Sequence, residues 1–166
     1  MGFKRTSDLI AISFGLTESA IDTYTQAEIA LQLDVLNNEI FVVLAVDLNV
    51  EQPDSPLGAG NQPAKTTAAI SSTKQTGMVR LDTTNCIASA EDMLFENGGT
   101  FSTGAGETYP AGLDYIALIS TNNFFIMIQG DKNTTTKDLQ GRVFGFRARA
   151  DASTYAALVQ SEVLSA

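Results

Sequence analysis

The side chains able to do chemistry in this chain are few and scattered. Histidine is absent and there is one cysteine, Cys86. Ser-His-Asp and Cys-His nucleophile systems are therefore excluded within the chain. Cys86 opens the segment CIASAEDMLFE (86–96), where Ile87, Ala90, Met93 and Leu94 fall at helical spacing and predict a short helix. A helix start favours a thiolate. Cys86 also begins an apolar stretch, so a buried structural thiol is the expected role. Glu91, Asp92 and Glu96 lie on the same segment, and paired carboxylates can do acid–base work on a sugar. Neighbours on a helix point about 100° apart, however, and a solvated helix face is the expected reading.

Other patterns point to ligands only in part. Asp131, Asn133, Thr135 and Asp138 offer oxygen atoms at alternating positions, as a calcium loop does. The central glycine and the closing bidentate glutamate are missing, and Lys132 and Lys137 oppose a cation. A polar loop is expected, and no metal is assigned. The glycines at 98, 99, 104 and 106 lack the Gly-Lys-Ser/Thr ending of a phosphate loop and lead into a strand, so a plain loop is expected and no cofactor is implied. The start Met1–Thr6 matches a myristoylation pattern formally, with bulky Phe3 an awkward fit. A flexible segment tethering to a neighbour is expected there. Lys4 and Arg5 also suit an anionic surface.

Arg142, Arg147 and Arg149 concentrate positive charge late in the chain. Without a row of aromatic side chains for stacking they make a poor nucleic-acid platform. On a strand over 141–150, Arg147 and Arg149 share the face opposite Phe144 and Phe146. They are expected to pair with carboxylates within the subunit or across a contact, and are the candidate subunit-interface residues. No catalytic residue is assigned.

The elements that position these residues are mostly strands. Residues 40–46 (IFVVLAV), 115–119 (YIALI) and 124–128 (FFIMI) are apolar on both faces, as in strands covered on both sides. Alternation predicts further strands over 8–14, 25–35 and 141–150, and a weaker pattern gives one or two over 66–83, with a break at Thr76-Gly77. Asn37-Asn38 predicts a tight turn joining 25–35 to 39–49 as a hairpin. Asn122-Asn123 predicts a second hairpin between 113–120 and 123–130. Residues 51–65 carry three of the four prolines and read as a surface loop tolerant of insertion near Gly58-Ala-Gly60. Residues 97–112 read as a glycine-rich loop around a short strand. Asp151 caps a final helix, 152–164, with Tyr155, Leu158, Val159 and Val163 on one face. About eight strands with two short helices, around 86–96 and 152–164, predict an all-β fold: a single jelly-roll β-sandwich in one domain, 1–166. A sandwich covers one face of each sheet. The two-faced strands are therefore expected to need a neighbouring subunit.

Composition narrows the class. Hydrophobic residues at 44% exclude a disordered chain. One cysteine excludes a disulfide framework and a cysteine-based zinc site. No apolar run reaches the length of about 18 residues that a membrane-spanning helix needs. The start has no cleavage-site pattern, so no signal peptide is expected.

The segments QLDVLNNEIFVVLAVDLNVEQPD (32–54), LDYIALISTNNFFIMIQG (113–130) and RVFGFRARADASTYAALVQSEVLS (142–165) resemble structural proteins of marine and environmental viruses. Strand layout and size are similar to those of the small single jelly-roll capsid proteins of tailless, icosahedral, membrane-containing viruses. The resemblance implies a virion protein without enzymatic activity. It implies a homo-oligomer in pseudo-hexameric capsomers alongside other capsid proteins, sometimes over an internal membrane that the N-terminus contacts. A tail-tube or filament subunit is an alternative. So is a carbohydrate-binding, lectin-like jelly roll using Tyr109, Tyr115 and the Asn/Thr-rich loops, although it would lack a tryptophan platform.

Net charge is −9, with the arginines set among acidic neighbours. The isolated protein is expected not to bind nucleic acid, which needs clustered Lys and Arg on phosphates. A gel shift at low salt checks this; sequence-independent binding at micromolar protein would contradict it.

Overall fold

The computed structural model describes residues 2–55, 62–104 and 113–165. Strands dominate. They are β1 (Phe3–Arg5), β2 (Ile10–Thr17), β3 (Thr25–Ala30), β4 (Glu39–Val50), β5 (Ala64–Ser71), β6 (Cys86–Leu94), β7 (Thr100–Thr103), β8 (Ala117–Ile119), β9 (Asn123–Asp131) and β10 (Asp138–Ala150). One helix, α1 (Ala152–Ser165), closes the series. No helix among the described residues is long and apolar enough to cross a membrane.

The strands form two five-stranded sheets. In the first, β10 is flanked on one side by β4, with β8 beyond it, and on the other by β2 and then β1 along its length. The second runs β3-β9-β5-β6-β7. Four antiparallel pairs are nested: β2 with β10, β3 with β9, β4 with β8, and β5 with β6. The chain is thus one long hairpin rolled into two facing sheets, which is the jelly roll expected from the sequence.

Three local expectations fail, for one physical reason. The segment 86–96 is not a helix; Cys86–Leu94 is strand β6. Its buried Ala88 and Ala90 alternate into the core, and β5 uses it to satisfy a whole edge of backbone donors and acceptors. Residues 25–35 and 39–49 do not form a hairpin: β3 ends at Ala30 and pairs with β9, while β4 lies in the other sheet. Likewise β8 pairs with β4, and β9 with β3 and β5, so 113–130 is a sheet-to-sheet crossing. In a rolled hairpin, successive strands face each other across the core instead of pairing side by side. Asn38 does take the left-handed conformation that its turn required, at φ 54°, but the turn changes sheets.

Between the sheets, Phe41, Val43, Val46 and Leu48 of β4 meet Ala68 and Ile70 of β5 and Phe124, Ile126 and Ile128 of β9. The inward positions of β4 shift parity because Leu44 has no register partner: Ala45 faces Phe144 and Val43 faces Gly145. The run 40–46 is apolar without a break because both of its faces are covered. Ile40, Val42 and Leu44 point outward, under Phe3, Tyr155 and Leu158. On the second sheet, Met78 and Val79 of the loop 72–85 cover Ala69, Phe125 and Met127. The outward apolar residues of β4 and β9 are therefore covered within the chain, and do not by themselves require a neighbouring subunit.

The N-terminal segment is likewise folded back. β1 pairs with β10, Arg5 stacks over the Phe146 ring at 4.6 Å, and the Gly2 carbonyl accepts from Asp151 N at 2.8 Å. The flexible tether expected there is not what residues 2–5 form.

Gly145 sits beside the bulge with its α-carbon against β4. A β-carbon there would lie 2.2 Å from the Val42 carbonyl oxygen and 2.6 Å from the Phe41 ring. Gly145→Ala should cost about 1–3 kcal/mol or more by overpacking. Gly77→Ala, which would meet nothing within 4 Å, should stay within about 0.5 kcal/mol of the parent. Urea unfolding midpoints of the two variants check the contrast.

Candidate functional site

The residues singled out for chemistry take structural posts. Cys86 starts a strand, so no helix terminus assists its thiol. Burial pushes the thiol up to about 11 and keeps it protonated at neutral pH; its Sγ donates to the Ala88 carbonyl at 3.4 Å. Glu91 and Asp92 are neighbours on β6 and so face opposite sides of the sheet. Glu91 accepts from Thr67 Oγ1 at 3.1 Å and pairs with Arg80, while Asp92 accepts from the Ser102 hydroxyl. Glu96 is exposed beyond the strand. The three carboxylates do not converge.

The segment 131–138 holds a cation of its own. Asp54 Oδ2 accepts from the amides and hydroxyls of Thr134 and Thr135, and its Oδ1 takes the Lys137 ammonium at 2.7 Å. Lys137 is 2% exposed, so its ammonium is buried against the carboxylate of Asp54. The ammonium first, and these hydrogen bonds after it, hold the Asp54 carboxyl well below the usual carboxylate range. No group of metal-binding side chains occurs among the described residues. Asn133 also accepts from Asp54 N and donates to the Lys65 carbonyl. Residues 51–55, expected to be loose loop, are therefore anchored; Gly58-Ala-Gly60 lies outside the described residues, as does Tyr109. Tyr115 is half-buried, edge-on to Phe3 at 5.9 Å, where it packs the cover of the first sheet.

The candidate interface arginines separate. Arg147 donates to the Leu31 and Gln32 carbonyls at 2.7 and 3.0 Å and to Glu39 Oε1 at 2.9 Å. It closes the crossing between β3 and β4 inside its own subunit. Arg149 is exposed beside Lys4 on the neighbouring strand β1, and remains available to a contact.

Sequence reasoning missed two buried carboxylates. Glu18 accepts from three backbone amides, Thr23, Gly130 and Lys137, at 2.9–3.0 Å, tying one end of both sheets together. Glu162 lies on the inner face of α1, where Val163 had been expected, and is 7% exposed. Its carboxylate accepts from Ser120 N at 3.1 Å and Ser120 Oγ at 2.9 Å. A glutamate one position from an apolar stripe gives no sequence signal of burial.

Seating Glu162 turns Val163 and Leu164 outward, 65% and 75% exposed. At the same end of the sandwich, a short 3-10 turn leading into β4 exposes Val35 by 46% and Leu36 by 96%. No protein-family model and no curated protein matches this chain.

Burial raises the proton affinity of Glu162 in the fold. The folded state then holds that proton more tightly than the unfolded chain, so this group's contribution falls as pH rises through the raised value. Glu162→Gln keeps an acceptor for Ser120 N and cannot ionise. Relative to that variant, the parent should lose stability as pH rises from the ordinary glutamate value of about 4.5 through the raised one. Urea unfolding of both proteins across that range checks the sign.

Proposed function

We propose that this chain is the repeating subunit of a protein shell, a capsid protein of a virion, and not an enzyme. The observation carrying the proposal is that four of the exposed large apolar side chains, Val35 and Leu36 before β4 and Val163 and Leu164 at the end of α1, flank the start of β4 in a jelly roll whose outward apolar strand residues are covered within the chain. A tile sealed on its faces joins others through its ends and edges. Burying Leu36 alone against a second copy would contribute about 1.5–3 kcal/mol. The exposed Arg149 supplies charge beside the same strand ends. Other capsid proteins would join such a shell, and the exposed Lys4 would be the residue to meet an internal membrane.

The purified protein should form multimers by light scattering, and rings or closed shells by electron microscopy. Leu36→Asp and Leu164→Asp should shift the mass distribution to monomer and leave the circular-dichroism spectrum unchanged. An unmodified protein that stays monomeric well above micromolar concentration, across salt, would overturn the proposal.

A further inference from the structure

A polar cleft opens on the outer face of the second sheet, away from the end proposed for assembly. Its floor is two cross-strand pairs of the central strands: Lys65 opposite Asp131, and Thr67 opposite Gln129. Met78 and Arg80 of the loop 72–85 form one wall, and Asp22 of the β2–β3 turn another. The loop is pinned. Arg80 is ion-paired with Glu91, Gln75 N donates to Gln26 Oε1 at 2.9 Å, and Tyr24 donates to the Gln75 carbonyl at 3.3 Å. Asp22 is pinned too, accepting from Asn133 N at 3.2 Å.

The floor is unspent. Lys65, Gln129 and Asp131 are half-buried, yet their side chains make no hydrogen bond or ion pair among the described residues. Elsewhere in this chain the half-buried and buried carboxylates, and the buried Lys137, are mostly used up in loop closure. Here an ammonium, a carboxamide and a carboxylate stand free on the ladder of a central sheet, which fixes their spacing before any ligand arrives.

We infer that this cleft binds a neutral saccharide unit through its hydroxyl groups. Residues two apart on a strand are about 6–7 Å apart and cross-strand neighbours about 5 Å, so the floor matches one sugar ring. Asp131 accepts from hydroxyls, Lys65 donates to them, and Gln129 does both, which suits groups that are donors and acceptors at once. Lys65 and Arg80 stand against Asp22, Asp131 and Glu91, so a strongly charged ligand would meet its own sign on one side. The Met78 side chain offers an apolar wall for the ring's C–H face.

Amide spectra of the full chain, titrated with the methyl glycosides of glucose, galactose, mannose and N-acetylglucosamine, test this. At least one glycoside should shift the amides of Thr67, Gln129 and Asp131 saturably, with a dissociation constant on the order of millimolar. Gln129→Ala and Lys65→Met should each weaken it about tenfold or more while the rest of the spectrum stays in place. No saturable shift with any of these probes, shifts centred outside the cleft, or affinity unchanged in both variants would overturn the inference. The spectra are recorded on the Leu36→Asp variant, whose substitution lies outside the cleft and which keeps the amides observable whether or not the parent chain assembles.

Discussion

The ladder between β4 and β10 carries the fold. β10 pairs with β4 along most of its length and offers its other edge to β2 and β1. β4 serves two apolar clusters, one on each face, and the bulge at Leu44 shifts which of its residues point inward. Phe41 and Val43 before it, and Val46 and Leu48 after it, face the interior, while Ile40, Val42 and Leu44 support α1. Gly145 is where this arrangement is tightest, since the backbone of β10 runs against the Phe41 ring. The nested pairing from β2–β10 inward to β5–β6 meets this ladder at its outermost pair, because β10 carries β2 on one edge and β4 on the other. Such pairings are distant in sequence, so their loop-closure entropy must be met before they contribute.

Charge is scarce in this chain, at 17% of residues, and much of what is buried closes connections. Glu18 ties the β2–β3 turn to β9 and β10. Asp54 and Lys137 bind the start of one long loop to another. Arg147 fastens the β3–β4 crossing, and Glu162 docks α1 on the end of β8. Each is satisfied by backbone amides, carbonyls or an opposite charge, which is what makes burial of these groups tolerable. The side chains most able to do chemistry are thereby committed to architecture, and the unpaired group at Lys65, Gln129 and Asp131 stands out against that background.

Self-sealing of both sheets changes the argument for assembly. An apolar outer sheet face would have required a partner for stability. With α1 and the loop 72–85 in place, the large apolar side chains left exposed lie in loops, in β7 and at the ends of elements, among them Val35 and Leu36 in the 3-10 turn before β4 and Val163 and Leu164 at the end of α1. Contacts through these side chains would be separable from folding, because none of them belongs to the core.

What the sequence determined by itself is the set of strands whose pattern is local. Alternation exposed β2, β3 and β10. Continuous β-branched and aromatic runs exposed β4 and β9, and Asp151 marked the start of α1, where it accepts from Thr154 N at 2.8 Å. These signals depend on residues two to four apart, and from their number the all-β jelly-roll class followed. Only the tertiary structure decided which strands pair, because a rolled hairpin joins segments far apart in sequence and leaves neighbours such as β3 and β4 in different sheets. It also decided that Cys86–Leu94 is a strand. There the spacing of Ile87, Ala90 and Leu94 fits a helix while Ala88 and Ala90 fit a strand, and the open edge of β5 settles the choice. The cleft at Lys65 and Asp131 belongs to the same class of fact. Its two floor strands are neighbours only through long-range pairing, so no spacing along the chain could have brought their side chains together.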